Sequence, residues 1–415
     1  MIFRSVGRAF ALAAVLVAVA GTARTMDAQQ SVTRTAAIAR AIANGPRVAV
    51  ARADSAFARA QVSIARQYEN PVFSLGYSKD LPQHHVGLDL PIDLPYFRTP
   101  RIDVARVGLD AAALRYAFER QATAFDADTA YTQALAAAAR AQLSRATAHD
   151  ADSLLTIARV RRDAGDGTEL DVQLAMLSAG QLTNAATNDL TDAVTALLAV
   201  QALMGLPATA PSIALADTLD APPSSAQGGG GTPLLIAAAE ADAHAADLAV
   251  SLERRRRWGV PSLSFGFDTH DPGGQGNQIL PTIGIALPLP LLNQNSAAVQ
   301  MAQAERDRAM AMLSLTRIEV NAELARARRD ANVALVRVAR SRQLVDAANS
   351  VAALSLVVYA EGGATLASVL EAQRAARETV AQYVDDVAAA RNAASLAQLL
   401  ELNAATVANA NRNPR

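Results

Sequence analysis

The side chains able to do chemistry in this 415-residue chain are five histidines, 39 carboxylates and 38 basic groups; there is no cysteine. A metal centre draws its ligands together at short, recognisable spacings. His84 and His85 share one presumed external loop, His270 stands in another, and the remaining two lie apart, so no metal site is read. Surface-loop histidines that touch a metal ion in passing are the sharper alternative. Without cysteine there is no disulfide framework, no Cys-ligated zinc or iron–sulfur centre and no thiol catalysis. There is also no Gly-rich phosphate loop, no HExxH and no serine nucleophile elbow. The carboxylates are spread among arginines, as on solvated helix faces. The expectation is a protein that is not an enzyme and holds neither cofactor nor metal. A net charge of -1 argues equally against a nucleic-acid partner held through phosphates. One cluster does stand out: Arg254 to Arg257 run directly into Trp258 ahead of an alternating segment, and Tyr68 holds the equivalent place earlier. Aromatics beside basic residues at a strand's start suit a membrane–water interface. A soluble hairpin with a solvated arginine run is the plainer reading.

The elements that must carry these residues follow from composition and repetition. Hydrophobic residues make up 51% of the chain but aromatics only 4%, and 96 residues are alanine. Alanine favours helices and lets them approach closely, yet buries too little surface for a thick core. Long, slim helices packed side by side fit better than a compact enzyme. At the N-terminus, Arg4 and Arg8 precede the apolar run Ala9 to Ala20, with Ala18-Val19-Ala20 offering small residues for cleavage. That order predicts an export signal, and the apolar run is too short to span a bilayer, which takes roughly 20 residues. No uninterrupted apolar run elsewhere reaches that length. Any membrane attachment is therefore expected from the fold, since a lipid-anchoring cysteine is missing.

The chain then repeats itself. Pro71 to Tyr77 resembles Pro261 to Phe267 at an offset of 190 residues, whereas Gly165, Thr168 and Val172 match Gly362, Thr365 and Val369 at 197. The longer loop Asp271 to Gly276 in the second copy accounts for the difference. Each copy reads as helix, strand, loop, strand, long helix, turn, shorter helix. Phe73, Leu75 and Tyr77 alternate with Ser74, Gly76 and Ser78; Leu263, Phe265 and Phe267 alternate with Ser264, Gly266 and Asp268. Period two with one apolar face is a half-buried strand, and the small polar opposite face suits a water-filled lumen. Four strands cannot form an ordinary sheet domain, but can contribute to a barrel closed between chains. From about Arg101 to Gly165, roughly 64 residues without a strong break predict a helix of about 95 Å. Ser296 to Gly362 has similar reach. On the last helix, Leu366, Val369, Leu370, Val380, Tyr383, Val384 and Val387 mark a coiled-coil stripe. The predicted organisation is a signal region 1–28, a first repeat 29–207, a linker 208–232, a second repeat 233–402 and a tail 403–415.

These residues resemble the TolC-like outer-membrane efflux family. The likeness rests on Ala41 with Asn44-Gly45-Pro46, on Asn70-Pro71, and on Leu287-Pro288-Leu289-Pro290-Leu291. It rests also on the two turns, Gly165-Asp166-Gly167-Thr168 through Val172 and Tyr359 through Gly362-Gly363-Ala364-Thr365 to Ala372. The resemblance implies a mainly α fold with a membrane β-barrel contribution: a homotrimer whose chains each give four strands to a twelve-stranded barrel, with the helices forming an α-barrel in the periplasm. It implies partners in a periplasmic adaptor and an inner-membrane pump, and a seat in outer-membrane lipid. Gly165, Gly167, Thr168, Gly362, Gly363 and Thr365 would form the adaptor-docking tips, and Tyr68 and Trp258 the membrane-interface anchors. Family members close the tip with acidic residues; matched motif to motif, Glu371 and Asp171 become the pore-gate residues, while Ser368 departs from the acidic pattern. A threefold ring of carboxylates favours cations. The run from Leu287 to Asn295 is most similar to members serving heavy-metal efflux systems of the resistance-nodulation-division type. Drug efflux, type I protein secretion through the same fold, and a periplasmic coiled-coil scaffold or adaptor are the alternatives.

Overall fold

The computed structural model describes residues 30–80, 83–222, 231–269 and 279–403. The predicted export signal, part of the linker, His270 with the long loop after it, and nearly all of the tail lie outside the described residues. In chain order the elements are β1 (Gln30–Val32), α1 (Arg34–Asn44), α2 (Pro46–Arg66), β2 (Val72–Tyr77), β3 (His84–Pro91), α3 (Pro95–Asp163) and α4 (Glu169–Leu203). There follow β4 (Ile213–Leu215), α5 (Leu234–Arg255), β5 (Ser262–Thr269), β6 (Ile279–Ala286), α6 (Ser296–Ala360) and α7 (Leu366–Glu401). The long helices α3 and α6 have 69 and 65 residues; their successors α4 and α7 have 35 and 36.

Contacts divide the chain into two compact units. The first combines Met1–Gly45, Asp126–Pro222 and Ala334–Asn392. Its largest cluster gathers Val32, Ala37, Tyr131, Leu135, Met204 and Ile213 around the short parallel pair β1–β4. Tyr131 is fully buried; its hydroxyl donates to the Val32 carbonyl at 2.8 Å, and burial pushes the phenol above its ordinary value. Gln201, also fully buried, donates to the Pro207 and Ala210 carbonyls and accepts from the Ser212 N–H, so one amide holds the loop leading to β4. Farther along, Ser144 donates to Asp189 and Ser341 donates to Asp386. These two bridges stand 197 residues apart in sequence, once in each copy.

The second unit combines Pro46–Phe125, Pro223–Val333 and Ala393–Arg415. It holds the four-stranded antiparallel sheet in the order β2-β3-β5-β6, so the inner pairing β3–β5 joins the two copies. Its helices meet through small residues: Ala327, Ala397 and Leu400 form one buried cluster, flanked by an Arg328–Glu401 ion pair at 2.6 Å. Alanine thus supplies close approach rather than bulk, as its abundance suggested.

The parallel pair β1–β4 adds two strands to the four expected, and His84 and His85 open strand β3 instead of lying in a loop. The helices depart from the sequence reading as well. The early helix is two helices, α1 and α2, because Pro46 lacks an N–H and Gly45 adopts an extended backbone. Helix α3 begins at Pro95, ahead of Arg101, and contains Pro100. A proline there removes the bond to the carbonyl four residues earlier; that carbonyl, on Tyr96, accepts from Arg255 Nη1 at 3.2 Å instead. Helix α6 contains an 18-residue window of mean hydropathy 1.3, apolar enough by length and composition to cross a membrane, of which 11% is buried.

Candidate functional site: paired turns and a two-faced sheet

Both hairpin turns are built the same way. Helix α3 ends with Gly165 at φ 85°, a conformation that side-chain-bearing residues adopt only with strain. The Asp166 N–H donates to Arg161 O and the Gly165 N–H to Arg162 O, each at 2.9 Å. Helix α6 repeats this at Gly362 (φ 80°), where Gly363 N–H donates to Val358 O and Gly362 N–H to Tyr359 O. These are Schellman caps, which use up carbonyls that the helix leaves unpaired. Gly167 is confined by a close approach: a Cβ there would lie 3.0 Å from the Arg162 backbone nitrogen.

The returning helices start differently. Thr168 and Asp171 form a capping box, with Thr168 Oγ1 accepting from the Asp171 N–H and the Asp171 carboxylate accepting from the Thr168 N–H and hydroxyl. In the second copy Ser368 takes the place of the aspartate, and only the Thr365 side chain accepts from the helix, from the Ser368 N–H at 3.3 Å. The Asp171 carboxylate is thereby committed to its helix terminus. Glu371 is exposed one turn into α7 and pairs with Arg374 at 2.8 Å, which also reaches Glu378 at 3.3 Å. The hydrogen bond from Arg374, then its charge, holds the Glu371 carboxyl below the usual range. Leu154, Leu174, Gln181, Leu370, Glu371 and Arg374 border a groove of about 390 Å³. The structure therefore brings the predicted tip residues into two matched turns, but gives Asp171 and Glu371 different surroundings.

Sequence reasoning overlooked the tie between the turns. The Arg161 guanidinium lies 4.8 Å from the centre of the Tyr359 ring, and its Nη1 donates to the Tyr359 carbonyl at 3.1 Å. Tyr359 packs with Leu154, Ala158, Val172, Leu366 and Val369 in one buried cluster. The available signal was an aromatic in the last turn of an alanine-rich helix, where a solvated side chain is the rule.

The sheet has two distinct faces, fixed by its register. Phe73, Leu88, Phe265 and Ile283 stand directly opposite one another across the four strands, as do Leu75, Val86, Phe267 and Pro281. The alternate rows are Ser74, Gly87, Gly266 and Thr282, then Val72, Asp89, Ser264 and Gly284. The apolar row is exposed within the chain, Ile283 at 74% and Phe73 at 63%. On the small polar face His85 Nδ1 lies 2.8 Å from Asp268 Oδ1, while His85 Nε2 faces Ser78 Oγ at 3.3 Å. His84 points to the other face beside Tyr77. Among the described residues no group of three or more potential ligands could hold a metal ion. Tyr68 and Trp258 flank the helix-bearing end of this sheet; the Arg98 guanidinium lies 4.2 Å from the Tyr68 ring centre, and that of Arg257 lies 5.1 Å from Trp258.

The described residues thus combine two matched helical hairpins with a sheet that has one apolar and one polar face. Several solved structures share this fold. A membrane protein from Pseudomonas aeruginosa is 22% identical with a TM-score of 0.70, over 88% of this chain and 93% of that one. The Campylobacter jejuni CmeC outer membrane channel is 14% identical with a TM-score of 0.72, over 89% and 85%. The open MtrE outer membrane channel of Neisseria gonorrhoeae is 16% identical with a TM-score of 0.65, over 88% of each chain. No curated protein sequence matches. Residues 37–206 match the outer membrane efflux protein family. In fold the chain is similar to TolC-like outer membrane channels, and the part that matches the efflux family model spans its first repeat.

Proposed function

We propose that three copies form a channel-tunnel that passively conducts cargo from an inner-membrane pump and periplasmic adaptor to the exterior. The observation that carries this is the two-faced sheet with open edges at β2 and β6. Unpaired strand edges cannot remain in lipid; neighbouring copies close them, giving twelve strands from three chains. The sparsely buried apolar window of α6 supports further contact between copies. The turns at Gly165–Thr168 and Gly362–Thr365 are the adaptor-docking tips in this reading, with Glu371 the better placed of the two gate carboxylates. Asp89 and Asp268 on the polar face, with no lysine or arginine in the four strands, favour cations and support metal ions as the cargo class.

The test is to extract outer membranes with carbonate and urea, measure the mass of the purified protein, and reconstitute it in planar bilayers. Resistance to extraction, a trimeric mass and cation-selective conductance are expected. A soluble monomer without conductance would overturn the channel. A conducting trimer whose loss leaves heavy-metal tolerance of the host unchanged would overturn only the cargo.

A further inference from the structure

Three junctions meet where the sheet gives way to helices. Arg98 Nη2 donates to Arg66 O at 3.0 Å, Arg101 Nε donates to Ala65 O at 2.9 Å, and Arg255 Nη1 reaches Tyr96 O. The ends of α2 and α5 and the start of α3 are thus held together. A Cβ on Gly259 would lie 2.8 Å from Pro288, which places the segment after β6 beside Trp258. Across residues 66–69, 93–101 and 253–258 there are seven arginines against Glu69, Asp93 and Glu253, in a chain of net charge -1. Two of those carboxylates are already engaged: Asp93 by Arg101 at 2.7 Å, and Glu253 by Arg256 at 2.7 Å and by Asn295. Arg66, Arg254 and Arg257 are exposed and have no carboxylate partner among the described residues. Just beyond Pro288, Leu289, Leu291 and Leu292 are 62%, 80% and 101% exposed, so no described residue covers them.

We infer that this belt binds the headgroups of anionic phospholipids. An apolar rim lets acyl chains pack, and guanidinium groups just beyond it pair with phosphate through two parallel hydrogen bonds. Aromatics at the same level match the preference of Trp and Tyr for the interface. Each basic group near an anionic membrane surface adds attraction, and the excess of four charges is concentrated where strands leave the lipid. Zwitterionic headgroups carry the phosphate but also a cancelling ammonium, so the belt discriminates between them. The inference rests on the outer-membrane reading above.

It is tested on the full-length protein in detergent, by native mass spectrometry with phosphatidylglycerol and phosphatidylcholine of identical acyl chains. Wild type is expected to retain phosphatidylglycerol preferentially. The R254Q/R257Q variant should lose that preference about thirtyfold, given about 1 kcal/mol per basic residue at a membrane surface, and R254K/R257K should keep most of it. Inorganic phosphate at equal concentration should not displace the lipid; displacement would mark a free-anion site and overturn the proposal. Equal retention of both lipids by wild type, or an unchanged preference in the glutamine variant with unaltered circular dichroism, also overturns it. Insertion into phosphatidylcholine vesicles, scored by protease protection, separates the two ideas. A protein that inserts without headgroup preference refutes the lipid belt alone; one that fails to insert refutes the outer-membrane reading.

Discussion

Glu371 and Tyr359 share one end of the helical hairpins and obey opposite physics. Glu371 is solvated, and its stabilising pairing with Arg374 depends on ionisation. Because its carboxyl is held below the ordinary value, the pairing is fully present above the unfolded-state pKa of about 4.3 and fades as pH falls through the lower folded-state value. On the proposed gate reading, the part of cation selectivity that Glu371 supplies, scored as wild type against Glu371→Gln, should therefore persist from pH 7 down to about 4.3 and decline only below that. Glu371→Ala is expected to raise conductance or leakage at neutral pH; unchanged conductance and selectivity would overturn the proposed gate role of Glu371. Tyr359, by contrast, is buried, and truncating a large buried aromatic costs about 3 to 5 kcal/mol. Tyr359→Ala should loosen both turns, measured as faster proteolysis near Gly165 and Gly362, whereas Tyr359→Phe keeps the ring beneath Arg161 and should resemble wild type. Neither the Arg161–Tyr359 contact nor the engagement of Asp171 by Thr168 follows from motif matching alone. The capping box was readable as a Thr-x-x-Asp spacing, but a motif match assigns a carboxylate to a pore without asking what its oxygens already accept.

The helical hairpins themselves were the most legible elements, since long uninterrupted periodicity and a Gly–Thr turn leave few alternatives. Their register was not legible. Alanine-rich interfaces offer few large knobs to resist sliding, and a buried polar pair fixes register where apolar contacts do not. Ser341 with Asp386, both nearly inaccessible, and Ser144 with Asp189 supply such pairs in the two copies. Ser341→Ala leaves a buried carboxylate short of one donor and should cost about 1 to 3 kcal/mol. The double variant S341A/D386L should recover much of that in a thermal melt, while losing the fixed alignment. Spin labels across the α6–α7 pair would report this as a broadened distance distribution. Recovery of stability together with an unchanged sharp distance would show that the bridge does not set register. At the helix ends, Gly165→Ala must accept positive φ and should cost about 1 to 2 kcal/mol. The breaks that the sequence reading missed were local too. Gly45–Pro46 divides one helix, whereas Pro100 is tolerated because Arg255 takes up the carbonyl it leaves unpaired.

For the whole molecule, strand alternation and the repeat offset were visible before any coordinates, because a two-residue period and a fixed spacing survive in one dimension. The pairing of strands across copies was not, because it depends on partners far apart in sequence. That pairing has a bearing on how the protein is made. Leu88 meets Phe265, a partner synthesised roughly 180 residues later, and such distant pairing slows folding. The β2–β3 hairpin must therefore wait, with its aromatic face bare and one edge open, until most of the second copy has been delivered. A nascent chain in that condition is prone to aggregate. Pulse-labelled chains stopped before Ser262, with Phe73 and Leu75 still uncovered, should be recovered bound to a holding chaperone or degraded; soluble, stable chains of that length would show that the hairpin waits without harm.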